Sequence, residues 1–402
     1  MNLRQSTRGI IDHGSFPMAP QLERTLISRF IFLQRPTAKR GRLGGGLSLF
    51  AVLLLGSLST VCSQSLRIVV AGDGRADFPD HDNPCHSSGS SSVRPEDKHG
   101  LNKVILREMC AAARREHAQI LVWTGDIVNV NYTAGPNPED KTKFLKNGLN
   151  EWCDIMRPLY QRGVKVLPTR GNHEVIWYDQ DLKPNETTDA AKIWTEVFSG
   201  PNRLKAAGFD PKHFSFYYAT GSVLLIGLDQ YENTYNDHSV NQDWLNQVLE
   251  KNKKPFIFAF GHEPAFATGG RHGSGECLAA NPKNRDQMWK VLSDAGSQVY
   301  LCGHDHFYDR MKIAATAGGY EMQQITAGTA GAPFYSQGKV PDDQGWKLER
   351  QRHLDSMYGY ILIKVDGKTA TIQFKGRTLA SDQYETKDCF SYTARTQSQG
   401  EN

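Results

Sequence analysis

The sequence predicts an α/β protein, on three observations. Short apolar runs of strand length alternate with segments whose apolar residues recur at helical spacing. Five of those runs end in a glycine followed by a polar cluster. No Pro-, Gly- or Ser-rich linker divides the chain, so the Gly/Ser-rich pieces read as loops of one domain.

The elements follow in order. LRIVVAG (66–72) is a short apolar run closed by glycine, the pattern of a buried strand. After a polar loop, Leu101, Val104, Ile105, Met109 and Ala112 fall on one face of a helix near 101–116. QILVWTGD (119–126) is a second strand, and helical pattern returns near 141–161. VKVLPTRGNHE (164–174) gives a third strand, and FSFYYA with SVLLIGLD (214–229) gives a strand pair. A helix near 240–252 leads to KPFIFAFGHEP (254–264), and a helix near 285–296 leads to QVYLCGHDH (298–306). YEMQQITAG, YGYILIKVDG and TATIQFKG alternate as antiparallel strands do, and from about Arg377 the chain reads as a polar surface tail.

Composition sets the bounds. With 402 residues, 39% hydrophobic and 22% charged, the chain can bury a sizeable core in one large or two ordinary domains. The net charge of +4 is uneven: residues 1–63 carry +6, which leaves −2 for residues 64–402. The body therefore has no basic footprint for nucleic acid. The basic excess belongs to RPTAKRGRLGGG (35–46), which precedes the apolar run in LSLFAVLLLGSLSTVCSQ (47–64). A basic stretch followed by a dozen or so apolar residues has the form of a secretory leader, whereas a membrane span needs about 20. Val61 and Ser63 suit a signal-peptidase site before Gln64, so the expectation is export to a periplasm or the exterior with no span in the mature chain. An uncleaved leader acting as an anchor is the alternative, and translation starting at Met18 is another. Cleavage would leave Cys85, Cys110, Cys153, Cys277, Cys302 and Cys389; Cys85 and Cys277, both in loop-like stretches, are the first candidates for a disulfide, and Cys302 reads as a small buried residue.

The five strand-end clusters are Gly72-Asp73, Gly125-Asp126, Gly171-Asn172-His173-Glu174, Gly261-His262-Glu263 and Gly303-His304-Asp305-His306. Ligands of α/β sheets collect at the carboxyl ends of strands, and a glycine before each polar residue permits a tight turn and close backbone approach. Singly, each residue has a plain explanation: Asp73 or Asp126 as a turn residue or helix cap, Asn172 as a turn former, His262 as a solvated histidine. Jointly, carboxylates, an amide oxygen and imidazoles form a mixed O/N donor set suited to Zn, Fe or Mn. One aspartate bridging two ions is the arrangement of two-metal hydrolysis. GGRHGSGE (269–276) lacks the ending and context of a P-loop and reads as a loop bordering the site, from which Arg271 and His272 can reach substrate. No GxSxG elbow competes as a nucleophile.

The ordered motifs GD, GNHE, GHE and GHDH resemble the calcineurin-like metallophosphoesterase superfamily, which includes the purple acid phosphatases, over roughly residues 66–375. The resemblance implies a four-layer αββα sandwich of two mixed β-sheets flanked by helices. The chain thus divides into a leader over 1–63, one catalytic domain over 64–376 and a polar tail over 377–402. By the same resemblance Asp126 bridges two divalent or trivalent ions (Fe, Zn or Mn), with Asn172, His262 and His304 completing one site. Asp73 and His306 belong to the other site, and His173 protonates the leaving group. The implied function is an exported phosphoesterase that hydrolyses phosphomonoesters or phosphodiesters, small or macromolecular, by in-line attack of a metal-bound hydroxide. The alternatives are a catalytically weak ligand-binding protein with one metal, and a metal-dependent hydrolase of other esters. The sequence does not specify an oligomeric state.

The pattern departs at the first motif, usually Asp-x-His and here Asp73-Gly74-Arg75. An arginine stays protonated and cannot ligate a metal. Purple acid phosphatases lack that histidine but carry a tyrosine three residues after the second-motif aspartate, where this chain has Asn129; Tyr132 is out of register. Three readings follow: Asn129 or water completes the first site; the site is weak and Arg75 binds substrate as a bidentate phosphate clamp; or Arg75 is structural, ion-paired with a carboxylate at the sheet edge. The second is the expectation adopted. Some relatives place an aspartate at the position of Asn129 to orient the histidine, a charge that asparagine lacks.

Overall fold

Two runs of strand pairing organise the chain. A computed structural model describes residues 65–76, 99–130, 138–175, 189–199, 213–232 and 236–395. The leader over 1–63 and Cys85 lie outside them. The first sheet joins β1 (Leu66–Ala71), β2 (Ile120–Trp123), β3 (Lys165–Pro168), β11 (Tyr358–Asp366), β12 (Thr369–Arg377) and β13 (Glu385–Thr393) in the order β13-β12-β11-β1-β2-β3. β1, β2 and β3 are parallel and β11 runs antiparallel to β1, so the sheet is mixed. The second sheet has the order β10-β8-β9-β7-β6-β5-β4, from β4 (Phe216–Thr220), β5 (Val223–Gly227), β6 (Phe256–Phe260), β7 (Val299–Cys302), β8 (Tyr308–Ala315), β9 (Met322–Ala327) and β10 (Trp346–Leu354).

Period-two alternation sorts the second sheet into two layers. Phe256, Phe258 and Phe260 of β6, with Val223, Leu225, Val299 and Leu301, enter one cluster with Ile68 to Ala71 of β1 and Tyr360 to Ile363 of β11. The intervening Ile257 and Ala259, with Leu224, Ile226 and Tyr300, enter a second cluster under helices α5 (Gln242–Lys251) and α6 (Pro282–Asp294). The first cluster also takes in α1 (Lys103–Arg115), α2 (Pro138–Tyr160) and α4 (Asp189–Phe198). The result is the expected αββα sandwich. α3 (Asn172–Val175) is a single turn.

The helices begin where the chemistry of their first residues directs. Asn102, Asn241 and Asn281 each accept a backbone N–H of the following turn (Ile105, Trp244 and Asn284), and Pro282 needs no partner at the start of α6. Trp123 at the end of β2 packs edge-on against Trp152 of α2 at 5.5 Å and donates its indole N–H to the Gly125 carbonyl at 3.1 Å. The helix layer thus touches the loop that carries Asp126.

Two expectations are corrected. Residues 385–393 are not tail but the edge strand β13, with Phe390 opposite Ile372 and Tyr392 opposite Ala370. β9 is antiparallel only to β8; on its other side it runs parallel to β7. β8 and β10 escape a hydrophobicity reading because ion pairs make them look polar: Arg310 binds Asp388 at 2.7 Å and Arg350 binds Asp309 at 2.6 Å. Cys277 is a free buried thiol here, the pairing expected with Cys85 lies outside the described residues, and Cys302 is buried as expected. Among the described residues no helix is long and apolar enough to cross a membrane.

Candidate metal centre

The carboxyl ends of β1, β2 and β3 in one sheet and β6 and β7 in the other meet at a single place. The turns there are tight: Asp73, Asp126 and His304 have φ of 60°, 49° and 70°, the left-handed region that side chains rarely adopt. Such backbone costs about 1–3 kcal/mol per residue and persists only where surroundings hold it. Here backbone bonds run from Asp73 N to the Gly125 carbonyl (3.0 Å) and from Gly74 N to the Asp126 carbonyl (2.9 Å). The glycines are needed for closeness. A Cβ at Gly303 would collide with the Asp73 carboxylate, and one at Gly171 with that of Asp126.

Buried polar side chains lock these turns. The Glu174 carboxylate accepts the N–H groups of Asp126, Ile127, Val128 and Gly171 at 2.7–3.1 Å. Its role is structural: it organises the loop that carries Asp126. Burial, and then the charge of Asp126, push its pKa up to about 8. Arg170 forms a bidentate pair with Asp229 at 2.7 and 2.8 Å, tying the end of β3 to the end of β5. Gln230 Oε1 accepts both His262 N and Glu263 N at 2.7 Å. Asp229 and Gln230 also close an apolar strand, and that signal would have found them had a preceding glycine not been required.

Around His262 the geometry fits a cation. Its Nδ1 donates to the Thr124 carbonyl at 2.8 Å, which leaves Nε2 as the inward-facing atom. Asn172 Oδ1 lies 2.9 Å from that Nε2, His304 Nδ1 lies 3.0 Å from it and Asp126 Oδ1 3.3 Å. His304 in turn gives its Nε2–H to the Glu276 carbonyl at 2.8 Å, so its Nδ1 also presents a lone pair. Burial, with the neighbouring His272 and His262, holds the His304 pKa well below the usual imidazole value and keeps that lone pair available. A single proton can satisfy one of these close approaches of acceptors; a metal ion can satisfy all of them. Outer nitrogens held by backbone carbonyls are the usual orientation of metal-ligating histidines.

The first group, named for the first motif, adjoins this second one. Asp73, Asp126 and His306 bring one ligand atom each within 4.8 Å of one another. His306 donates Nδ1–H to the Pro333 carbonyl at 2.7 Å and stacks on Tyr335 at 3.9 Å. Burial, and then the Arg75 charge, depress its pKa well below the usual value. Burial and the charge of Asp126 raise the Asp73 carboxyl well above its usual range. Burial alone would raise Asp126 as well, but His262, His173 and Arg75 outweigh it and hold that carboxyl low.

All eight sequence-predicted residues meet here, and Arg75 turns inward to the ligand cluster. Only 3% exposed, it directs Nε to Asp126 Oδ2 at 3.2 Å and Nη2 to His306 Nε2 at 3.1 Å and Tyr335 Oη at 3.3 Å. The contacts correspond to the ion-paired reading, within the ligand cluster rather than at the sheet edge. Asn129 Oδ1 lies 3.0 Å from His173 Nδ1. His173 Nε2 lies 3.8 Å from Asp126 Oδ2. The 269–276 loop does border the centre, with His272 stacked on His304 at 3.7 Å and Arg271 over the Tyr335 ring at 5.4 Å. Thr268 and His272 both bond the Asp305 carboxylate, which fastens the loop. Tyr335 was missed; it lies in no strand-end motif.

Comparison with known proteins gives concordant results. A family model described as calcineurin-like phosphoesterase matches residues 85–308. Purple acid phosphatase 22 of Arabidopsis thaliana is 27% identical over 213 residues, 47% of this chain and 44% of that protein. Tartrate-resistant acid phosphatase type 5 of Homo sapiens is 26% identical over 132 residues, 33% of this chain and 37% of that protein. The match thus spans less than half the length of either relative. Among solved structures, the purple acid phosphatase PPD1 from yellow lupin (Lupinus luteus) seeds superposes with a TM-score of 0.56 at 14% identity, covering 82% of this chain and 54% of that one. At that identity the likeness concerns the fold alone.

Proposed function

Because the chain belongs to the calcineurin-like phosphoesterase family, we propose that it is a metal-dependent hydrolase of phosphate esters, acting on phosphomonoesters or phosphodiesters. The observation that carries this reading is the ring of lone pairs facing His262 Nε2, from Asn172, His304 and Asp126, with His173 beside the same aspartate. Asp126, Asn172, His262 and His304 would hold a metal ion. When bound, such an ion supplies Lewis-acid polarisation of a phosphoryl oxygen and makes water more acidic.

The remaining work falls to side chains. Asn129 Oδ1 accepts from His173 Nδ1, which fixes the ring and leaves Nε2 as the atom that exchanges a proton. In this reading Nε2–H protonates the departing ester oxygen as its bond to phosphorus breaks. The His272–His304 stack and the Asp305 anchor hold the 269–276 loop as one wall of the site. Export by way of the leader belongs to the same proposal, and N-terminal sequencing of the mature protein checks it by finding Gln64 first.

Turnover of an aryl phosphate and an aryl phosphodiester by metal-supplied protein tests the reading. His173→Ala is expected to lower turnover by about 10²–10⁴-fold while leaving metal content unchanged. Vanadate or phosphate should inhibit; a hydrolase of other esters would not be inhibited.

A further inference from the structure

The donors of the first group, Asp73, Asp126 Oδ2 and His306 Nε2, need a positive partner, and a guanidinium already lies among them. His306 Nδ1 is committed to the Pro333 carbonyl, so Nε2 is an acceptor and Arg75 Nη2–H donates to it at 3.1 Å. Arg75 Nε–H donates to Asp126 Oδ2 at 3.2 Å. These are the two lone pairs that a metal ion at this position would require. A guanidinium is protonated at every physiological pH and offers no lone pair, so it competes with a metal and cannot ligate one.

The arginine is built in. Its backbone forms a bridge with Leu101, next to the Asn102 cap of α1, and the Gly74 carbonyl accepts Asn102 N at 2.9 Å. Tyr335 Oη, 3.3 Å from Nη2, adds a further acceptor, and the same hydroxyl lies 3.5 Å from Arg271 Nη1. Moving the guanidinium out would strip Asp126 Oδ2 and His306 Nε2 of a buried partner. Leaving it in place would set a dication directly against a fixed positive charge. The second group is equipped differently: it uses the other oxygen of Asp126 with Asn172, His262 and His304, and backbone carbonyls accept the outer N–H of both histidines.

We propose that the Arg75 guanidinium takes the place of the first cation, so that the centre holds one metal ion, in the Asp126–Asn172–His262–His304 set. The residues of the first group do not fit a metal in this chain, although they match the positions that hold one by resemblance. This inference rests on the reading of the centre as a metal site. It narrows that reading from two ions to one ion and one organic cation.

Metal content decides it without reference to activity. The full chain is equilibrated with Mn(II), freed of unbound ion, and assayed for Mn per chain by mass spectrometry and for spin coupling by electron paramagnetic resonance. The expected result is one ion with an uncoupled signal, lost in His262→Ala and kept in His306→Ala. Arg75→His, which installs an imidazole at the vacated position, is expected to double the content and to produce a coupled pair. Two coupled ions in the unaltered protein overturn the inference but leave the phosphoesterase reading standing. So does a folded Arg75→His protein, by circular dichroism, that still binds one ion. If Arg75→His does not fold, the signal of the unaltered protein and its response to His262→Ala decide alone. No bound Mn, Zn or Fe in the unaltered protein overturns the metal-site reading itself and this inference with it.

Discussion

The two oxygens of the Asp126 carboxylate keep different company: Oδ2 takes Arg75 Nε at 3.2 Å, and Oδ1 faces His262 Nε2 at 3.3 Å. A residue at the end of β2 therefore divides the centre into two halves of unlike chemistry. Asn129 makes a similar distinction for His173. Its amide oxygen fixes the ring as an aspartate would, but contributes no charge to favour the imidazolium. Asn129→Asp should stabilise the protonated ring, so an acid-dependent rate should persist to higher pH. The measurement is the pH profile of kcat for an aryl phosphate: the alkaline fall moves upward in the variant, while an unchanged profile would remove His173 from the proton-transfer step. At this scale the sequence was informative because Asp73, Asn172, His173, His262, His304 and His306 each follow a strand end in a recognisable order. Arg75 was visible as an anomaly, but its partner was not. Nothing in Asp-Gly-Arg says whether the guanidinium turns outward to an anion or inward to Asp126.

Among the elements, legibility followed the solvent. Strands buried on both faces, such as β5, β6 and β7, are continuous apolar runs and could be read directly. β8, β10 and β13 carry charges that find one another across strands, as Arg310 and Asp388 do, and so read as loop or tail. The same kind of pairing staples α1 to the first sheet: Glu116 at the helix end accepts from Lys375 of β12 at 2.6 Å and Tyr360 of β11 at 2.9 Å. Burial would raise the Glu116 pKa, but the Lys375 and Tyr360 bonds and the Lys375 charge outweigh it and lower it. A carboxyl lowered on folding adds stability that is fully present above its unfolded value, about 4.3, and lost as pH falls through the folded value. Glu116→Gln should therefore lower stability at neutral pH and flatten the stability loss between neutral pH and acid. Denaturant unfolding of both proteins at several pH values checks this; parallel curves would mean that the pair contributes nothing.

For the whole molecule, the sandwich depends on alternation within single strands. Phe258 of β6 is fully buried in the cluster that joins the sheets, while its neighbours Ile257 and Ala259 face α5 and α6. Phe258→Ala should cost about 3–5 kcal/mol, read as a lower denaturant midpoint at unchanged slope. A smaller loss would mean that the sheets close over the gap. The alternation of strand and helix made the α/β class readable from sequence. Which strands shared a sheet was not readable, because β1 pairs with β11, nearly 300 residues away, and no local pattern records that choice. The site depends on this long-range pairing, since it draws Asp73, Asp126 and Asn172 from one sheet and His262, His304 and His306 from the other.

The most direct test of the account is hydrolysis of an aryl phosphate by the protein before chelation, after chelation, and after resupply of Mn, Zn or Fe. Turnover should disappear with the metal, return with it, and fail to return in His262→Ala. Turnover indifferent to chelation, or none from protein shown to hold its metal, would contradict it.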